Sequence, residues 1–251
     1  RHTISKVGHT VVIPDYAFFK RLFDKTVFFI NSYFLFFWLI SKLIKGIRNN
    51  SRILISQSIS LVENCDSRSH NLISDLYKFT GNAYRIGVTG PPGAGKSSIT
   101  NRLISIYRQQ EKKVAVIAID PTSPFSGGAL LGDRVRMLSH YSDADVFVRS
   151  MASRGGKGGL SLKAQEAGDI LDAASFDVII FETVGVGQIE LDVVRATDTV
   201  VVVLVPESGD EVQMLKAGLM EIGDIFAINK SDRLGSDKLV LNLKNVLSTK
   251  T

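Results

Sequence analysis

The sequence predicts an α/β fold: a doubly wound, mostly parallel sheet with an N-terminal helical extension. Three observations carry that expectation. Short apolar runs recur from residue 84 onward: YRIGVTG (84–90), VAVIAID (114–120), DVIIFET (177–183), TVVVVLV (199–205) and DIFAINK (224–230). These runs are near-continuous in Val and Ile instead of alternating with polar residues, as strands buried on both faces are. Stretches with helical spacing lie between several of them, and a strand, helix, strand succession closes into a parallel sheet. Ligands of such sheets sit beyond the carboxyl ends of the strands, and the chemically distinctive motifs of this chain stand at those ends.

Residues 1–50 read as an extension. They hold 11 of the 21 aromatic residues and a net charge of +6, leaving −1 on the other 201 residues. A near-neutral body lacks the basic footprint of a nucleic-acid partner, so none is expected. Within the extension VFFINSYFLFFWLI (27–40) is apolar apart from Asn31 and Ser32. As a helix its 14 residues would span about 21 Å, short of the roughly 30 Å hydrocarbon core of a bilayer. Three readings stay open for this stretch: a membrane-associating or targeting segment, a helix packed on the body, or an extension with no role. Asp15 and Asp24 suit a transit peptide poorly, because such peptides are poor in acids. The single cysteine, Cys65, excludes an internal disulfide and fits a reducing compartment.

From Ser51 the pattern is regular. SRILISQSISLVEN places Ile53, Ile55, Ile59, Leu61 and Val62 at helical spacing, and NLISDLYKF adds Leu72, Ile73, Leu76 and Phe79. Two amphipathic helices are therefore expected as a lead-in over 51–83. The domain proper is expected over 84–251, with helices from Gly95 to about Gln110, near 161–174 and near 211–222 between the strands named above.

The first of those strands runs into GPPGAGKSS, which fits a phosphate-binding loop through Gly90, Gly95, Lys96 and Ser97. Glycines let the backbone turn its N–H groups toward a β-phosphate, and the helix that follows presents its positive end to the same oxygens. Gly90, Gly93, Ala94, Gly95, Lys96, Ser97 and Ser98 are thus the candidate phosphate-binding set, with Lys96 as the point charge and the Ser97 hydroxyl as a Mg2+ ligand. NKSD (229–232) closes the last strand. Asn229, Lys230 and Asp232 there fit a guanine-reading pattern, Asp232 accepting from the guanine N1–H and 2-amino group. Adenine would leave that acceptor, expected to be buried, unpaired, a penalty of about 1 to 3 kcal/mol. Loop and base motif together predict a P-loop nucleoside triphosphatase.

Three acids are candidates for the metal end of the site: Asp120 closing VAVIAID, Asp133 in GGALLGDRVRM, and Glu182 in FETVGVGQ. Magnesium takes near-octahedral oxygen ligands and keeps several waters, so Ser97, phosphate oxygens and carboxylates acting through water suffice. Glu182 reaches one methylene further than an aspartate, to a water on the metal or to the water aligned for attack. A solvated loop or a helix cap is the alternative for each acid. Gly185 gives the backbone room to approach the γ-phosphate. Nothing in the set offers a transferable group, so no covalent intermediate is expected.

With these residues placed, the chain from about Ser51 to Ser248 resembles the methylmalonyl-CoA mutase-associated GTPases of the MeaB/ArgK type, within the SIMIBI class of P-loop GTPases. ISLVEN, GPPGAGKSS, DPTSPFSGGALLGDRVRM, SRGGKGGLS, FDVIIFETVGVGQIE, VPESGDEVQMLKAG and INKSD carry the resemblance. It implies Lys96 and Ser97 on phosphate and Mg2+; Asp120, Asp133 and Glu182 on the metal and its waters; and Arg136 as a switch arginine. It also implies that PESGDEVQMLK (206–216), with Lys216, reports nucleotide state to a partner. The implied activity is Mg2+-dependent GTP hydrolysis. It gates the loading of adenosylcobalamin onto an acyl-CoA mutase and protects that cofactor, with a cobalamin adenosyltransferase as a second partner and a cytoplasmic or mitochondrial-matrix location.

Two departures accompany the resemblance. GGK (155–157) stands where relatives carry a basic or His residue after the SRG turn, and the family's C-terminal dimerisation arm and the loop completing its guanine pocket are expected past Thr251. A homodimer is therefore expected of the family and not of these residues alone. Three other functions compete: phosphorylation of a transport protein, for which the sequence holds no acceptor-binding signature; a nucleotide-holding adaptor of the mutase without turnover; and a nickel-insertion GTPase. The last needs thiol and imidazole ligands, whereas His2, His9, His70, His140 and Cys65 are scattered.

Overall fold

The computed structural model describes residues 2–6, 9–13, 36–120, 140, 142–152, 159–183, 195–206 and 218–248. Strands β1 (His2–Lys6) and β2 (His9–Ile13) form a small antiparallel pair. The body begins with helix α1 (36–48), followed by α2 (Arg52–Glu63) and α3 (Ser67–Leu76). Then come β3 (Tyr84–Thr89), α4 (Lys96–Gln109), β4 (Val114–Asp120), β5 (Val146–Ala152), α5 (Gly159–Ala173), β6 (Val178–Thr183) and β7 (Thr199–Leu204). The short α6 (Leu219–Ile222), β8 (Ile225–Ile228) and α7 (Ser236–Ser248) complete the order.

Six strands form one sheet in the order β5-β4-β6-β3-β7-β8, and every neighbouring pair is parallel. The expected doubly wound parallel sheet is therefore present. The strands named from the sequence are all in it, and β5 joins them as an edge strand. Of the helix expected near 211–222, Leu219–Ile222 is present and 211–217 lies outside the described residues. Helix α7 follows the last strand and was not expected.

Alternation of side chains across the sheet builds two cores. Ala115, Ile117 and Ile119 of β4 with Ile179 and Phe181 of β6 face α1, α2, α3 and α5. Val114 and Val116 of β4, Ile180 of β6 and Ile86 and Val88 of β3 face α4 through Ile104. At the β7 edge, Val200, Val202 and Leu204 pack with Leu219 and Leu239. Strand β6 is buried along its whole length, the reason VIIFET reads as an unbroken apolar run ending in a carboxylate.

Helix α1 belongs to the first core. Ile40, Leu43 and Ile47, one helical stripe, are buried against it, and Gly46 lets α2 approach so closely that a β-carbon there would overlap Leu54. Arg48 donates to Ala173 O at 3.2 Å and lies over the Phe79 ring, tying α1 to α5. Among the described residues no helix is long and apolar enough to cross a membrane. The far ends of the strands are held by Asp172. Its buried carboxylate accepts from the N–H groups of Gly81, Asn82 and Ala83 and from Arg85 Nη2, which also reaches Asp169 at 2.7 Å. A buried charge satisfied on this many sides pins the start of β3 to α5.

Candidate nucleotide site

Strand β3 sits in the middle of the sheet, between β6 and β7, so the loop that follows it opens where several strand ends converge. Gly90, Gly93 and Gly95 all have positive φ, at 138°, 76° and 91°. Two of them are required by space as well as conformation. A β-carbon on Gly90 would stand 2.2 Å from Val203 O, and one on Gly95 would stand 2.2 Å from Asn229 Nδ2. Helix α4 starts immediately after Gly95 and buries Lys96, Ser97, Thr100 and Ile104 on one face. The ammonium of Lys96 folds back and donates to Gly90 O at 2.7 Å and Pro91 O at 2.9 Å. The cation is thus stored at the mouth of the loop on carbonyls it can exchange for phosphate oxygens.

Glu182 shares the parity of Ile180, so it faces α4. From there its carboxylate accepts a hydrogen bond from the Ser97 hydroxyl, Ser97 Oγ to Glu182 Oε1, at 2.5 Å. Lys96, Ser97 and Glu182 are nearly buried, at 6%, 9% and 6% exposure, so the three act in a medium of low polarity. Beside them lies a cavity of about 410 Å³, bounded by Gly93, Ser98, Ala118, Thr183 and Lys230 in addition to this trio.

The third strand end supplies NKSD. Asn229 N–H donates to Leu204 O, and its side-chain amide donates to Ala94 O at 2.8 Å. Lys230, in the left-handed region at φ 55°, turns back so that its ammonium donates to Gly93 O at 3.0 Å. The NKSD turn therefore braces the glycine loop from outside. Asp232 is exposed, two residues past that brace, so the buried acceptor expected from the sequence is not formed by the described residues alone.

The candidate residues thus divide by place. Gly90, Gly93, Ala94, Gly95, Lys96, Ser97, Ser98, Glu182, Asn229, Lys230 and Asp232 come together around one cavity mouth or on the turn that clamps it. Asp120 ends β4, adjacent to the end of β6, and its side chain lies outside the described residues, as do Asp133, Arg136, Gly185 and Lys216. The sequence reading missed Ala118, which bounds the cavity, and the threonines Thr89 and Thr183 at the strand ends. Their only sequence signal was position, the last residues of GVT and FET. The donors present fit Mg2+: a hydroxyl and a carboxylate, both hard oxygen groups, already in contact beside a cavity.

A central strand, a glycine loop closing on a buried lysine, and a serine–carboxylate pair at the next strand end define a P-loop nucleotide-binding protein. Residues 55–251 match the family model described as "Methylmalonyl Co-A mutase-associated GTPase MeaB", and the chain belongs to that family. It is 54% identical over 198 residues to a putative GTPase of Pyrococcus horikoshii, covering 79% of this chain and 62% of that protein. It is 34% identical over 207 residues to the mitochondrial methylmalonic aciduria type A homolog of Mus musculus, covering 77% of this chain and 50% of that protein. Among solved structures, one described as a LAO/AO transport system kinase superposes with a TM-score of 0.62 at 31% identity, over 81% of this chain and 60% of that one. The chain therefore spans less than two thirds of the length of these relatives.

Proposed function

We propose that this chain is a Mg2+-dependent GTPase that serves an adenosylcobalamin-dependent acyl-CoA mutase of the methylmalonyl-CoA type, gating cofactor loading and protecting the cofactor. The observation that carries the GTPase reading is the contact of Ser97 Oγ with Glu182 Oε1 at 2.5 Å beside Lys96, on a loop clamped by Asn229 of the base motif. The family description supports the partner, since it names association with methylmalonyl-CoA mutase. The name of the mouse relative, which links it to methylmalonic aciduria and the mitochondrion, agrees with that reading and with a matrix location in a eukaryote.

In this reading Ser97 and Glu182 would hold Mg2+, with Asp120 and Asp133 as further acids near it. The ion would neutralise charge on the β- and γ-phosphates. The chain's own residues do the rest. Backbone N–H groups of the loop orient the β-phosphate. Lys96 leaves the carbonyls of Gly90 and Pro91 for phosphate oxygens. Glu182, nearly dry, keeps the Ser97 hydroxyl pointed and would accept a hydrogen bond from a metal-bound water or from the water aligned for attack, which orients it. Arg136 adds positive charge, and Asp232 selects guanine. Catalysis of this kind is positioning and charge, so turnover is slow until a partner completes the site.

Phosphate release from GTP by the purified chain tests the reading. With Mg2+ the wild type should release phosphate, chelation should stop it, and Lys96→Ala should lower it by about two orders of magnitude. Equal release by wild type and variant would sink the enzyme. Adding a purified adenosylcobalamin-dependent acyl-CoA mutase should change the wild-type rate several-fold, and an unchanged rate would remove the partner.

A further inference from the structure

Glu182 meets Ser97 at the place where the backbone ladder between β6 and β3 ends, while the ladder to β4 runs one residue further, to Thr183. The last matched pair between the two strands is Val88 with Glu182. One residue further along each strand, side chains alternate to the opposite face. There the Thr183 hydroxyl donates to Thr89 Oγ1 at 3.1 Å, and the two residues are 1% and 0% exposed. Thr89 immediately precedes Gly90, where the phosphate loop begins, and Thr183 immediately follows Glu182. The hydroxyl pair therefore bridges the neighbour of the carboxylate to the neighbour of the loop, nearly buried at the edge of the cavity that Thr183 also bounds.

Packing alone does not call for hydroxyls here. The surrounding strand positions are Val, Ile and Phe, and a buried hydroxyl costs free energy that its hydrogen bond must offset. What threonine adds is a directional link between two stiff, β-branched side chains. Loss of that link would let the end of β6 shift relative to α4, where a displacement of about 1 Å is enough to cost up to two orders of magnitude in rate.

We propose that Thr89 and Thr183 are positioning residues for the GTPase reaction: their hydroxyl pair fixes the Glu182 carboxylate against Ser97, and so sets how firmly the metal and phosphate end of the site is held. The proposal rests on the GTPase reading above.

The experiment compares Thr89→Val, Thr183→Val, the double variant and Thr183→Ser by three quantities: kcat, the Mg2+ concentration for half-maximal turnover, and GDP affinity without Mg2+. Each valine variant should lower kcat about tenfold and raise the Mg2+ requirement about threefold or more, with GDP affinity in the absence of Mg2+ held within about twofold. Thr183→Ser keeps the hydroxyl and should recover most of the loss. The double variant should be no slower than the slower single variant, because either change removes the same bond. Wild-type kcat and Mg2+ requirement in the valine variants would overturn the proposal, and so would single effects that multiply in the double variant. If a valine variant does not fold, Thr183→Cys, with its weak donor, is read by the same quantities. If the wild type binds GDP with Mg2+ but releases no phosphate, the GTPase reading fails. In that case the Mg2+ dependence of GDP binding decides on the pair alone: a threefold shift supports it and no shift overturns it.

Discussion

Glu182 and Ser97 are 85 positions apart in the chain and in direct hydrogen-bond contact in the fold. Their meeting explains why a glutamate closes this strand. The carboxylate belongs to a residue still inside β6, paired with Val88 on one side and Ala118 on the other, and the longer side chain brings it to the first turn of α4. Glu182→Gln keeps the shape and loses the charge. The variant should bind GTP as before but hydrolyse it at least about tenfold more slowly, which single-turnover phosphate release would measure; unchanged turnover would mean that another acid does this work. GPPGAGKSS and NKSD mark most of the candidate site in the sequence, because their pattern is one of local spacing. The brace from Asn229 to Ala94 and the hydroxyl pair of Thr89 and Thr183 were not legible, since each joins different strands and neither leaves a local pattern.

Among the elements, legibility followed hydrophobic contrast. The central strands β3, β4, β6 and β7 stand out as unbroken apolar runs. The edge strand β5, VFVRSMA, does not, because Arg149 and Ser150 interrupt it, and Arg149 pairs instead with Glu63 and Ser60 of α2. The run leading into helix α1 is ambiguous for the opposite reason: it is apolar all round, with no stripe to tell a packed helix from a membrane segment; from residue 36 the helix packs through Ile40, Leu43 and Ile47, and 27–35 lies outside the described residues. Helix α3 owes its start to Asp66. That carboxylate accepts from Arg68 N at 2.9 Å and is paired with the Arg68 guanidinium. The side-chain bond to Arg68, and then the backbone bond, lower its pKa from 3.8 to about 2. A lowered pKa gives stability that is complete above about pH 4 and disappears as pH falls toward 2. Asp66→Ala should cost about 1 kcal/mol in urea unfolding at neutral pH, and the gap between variant and wild type should narrow across that acid window. A gap that stays constant down to pH 2 would show that the charge is not what caps the helix.

For the whole molecule, the fold class was written in the order of the runs, but the strand order was not. Placing β3 between β6 and β7 is a tertiary choice, and it brings the ends of GVTG, FET and INK to one side of the sheet. The charge distribution is consistent with that picture: a near-neutral body suits a small anionic ligand held by a few directed groups better than a long polyanion. Since the central claim is that a guanine nucleotide is gripped at these strand ends, calorimetric titration of the purified chain with GDP and with ADP, at fixed Mg2+, tests it most directly. The wild type should prefer GDP by about tenfold or more, and Asp232→Asn should lose most of that preference. Equal affinity for the two nucleotides in the wild type, or a preference unchanged by Asp232→Asn, would contradict the account.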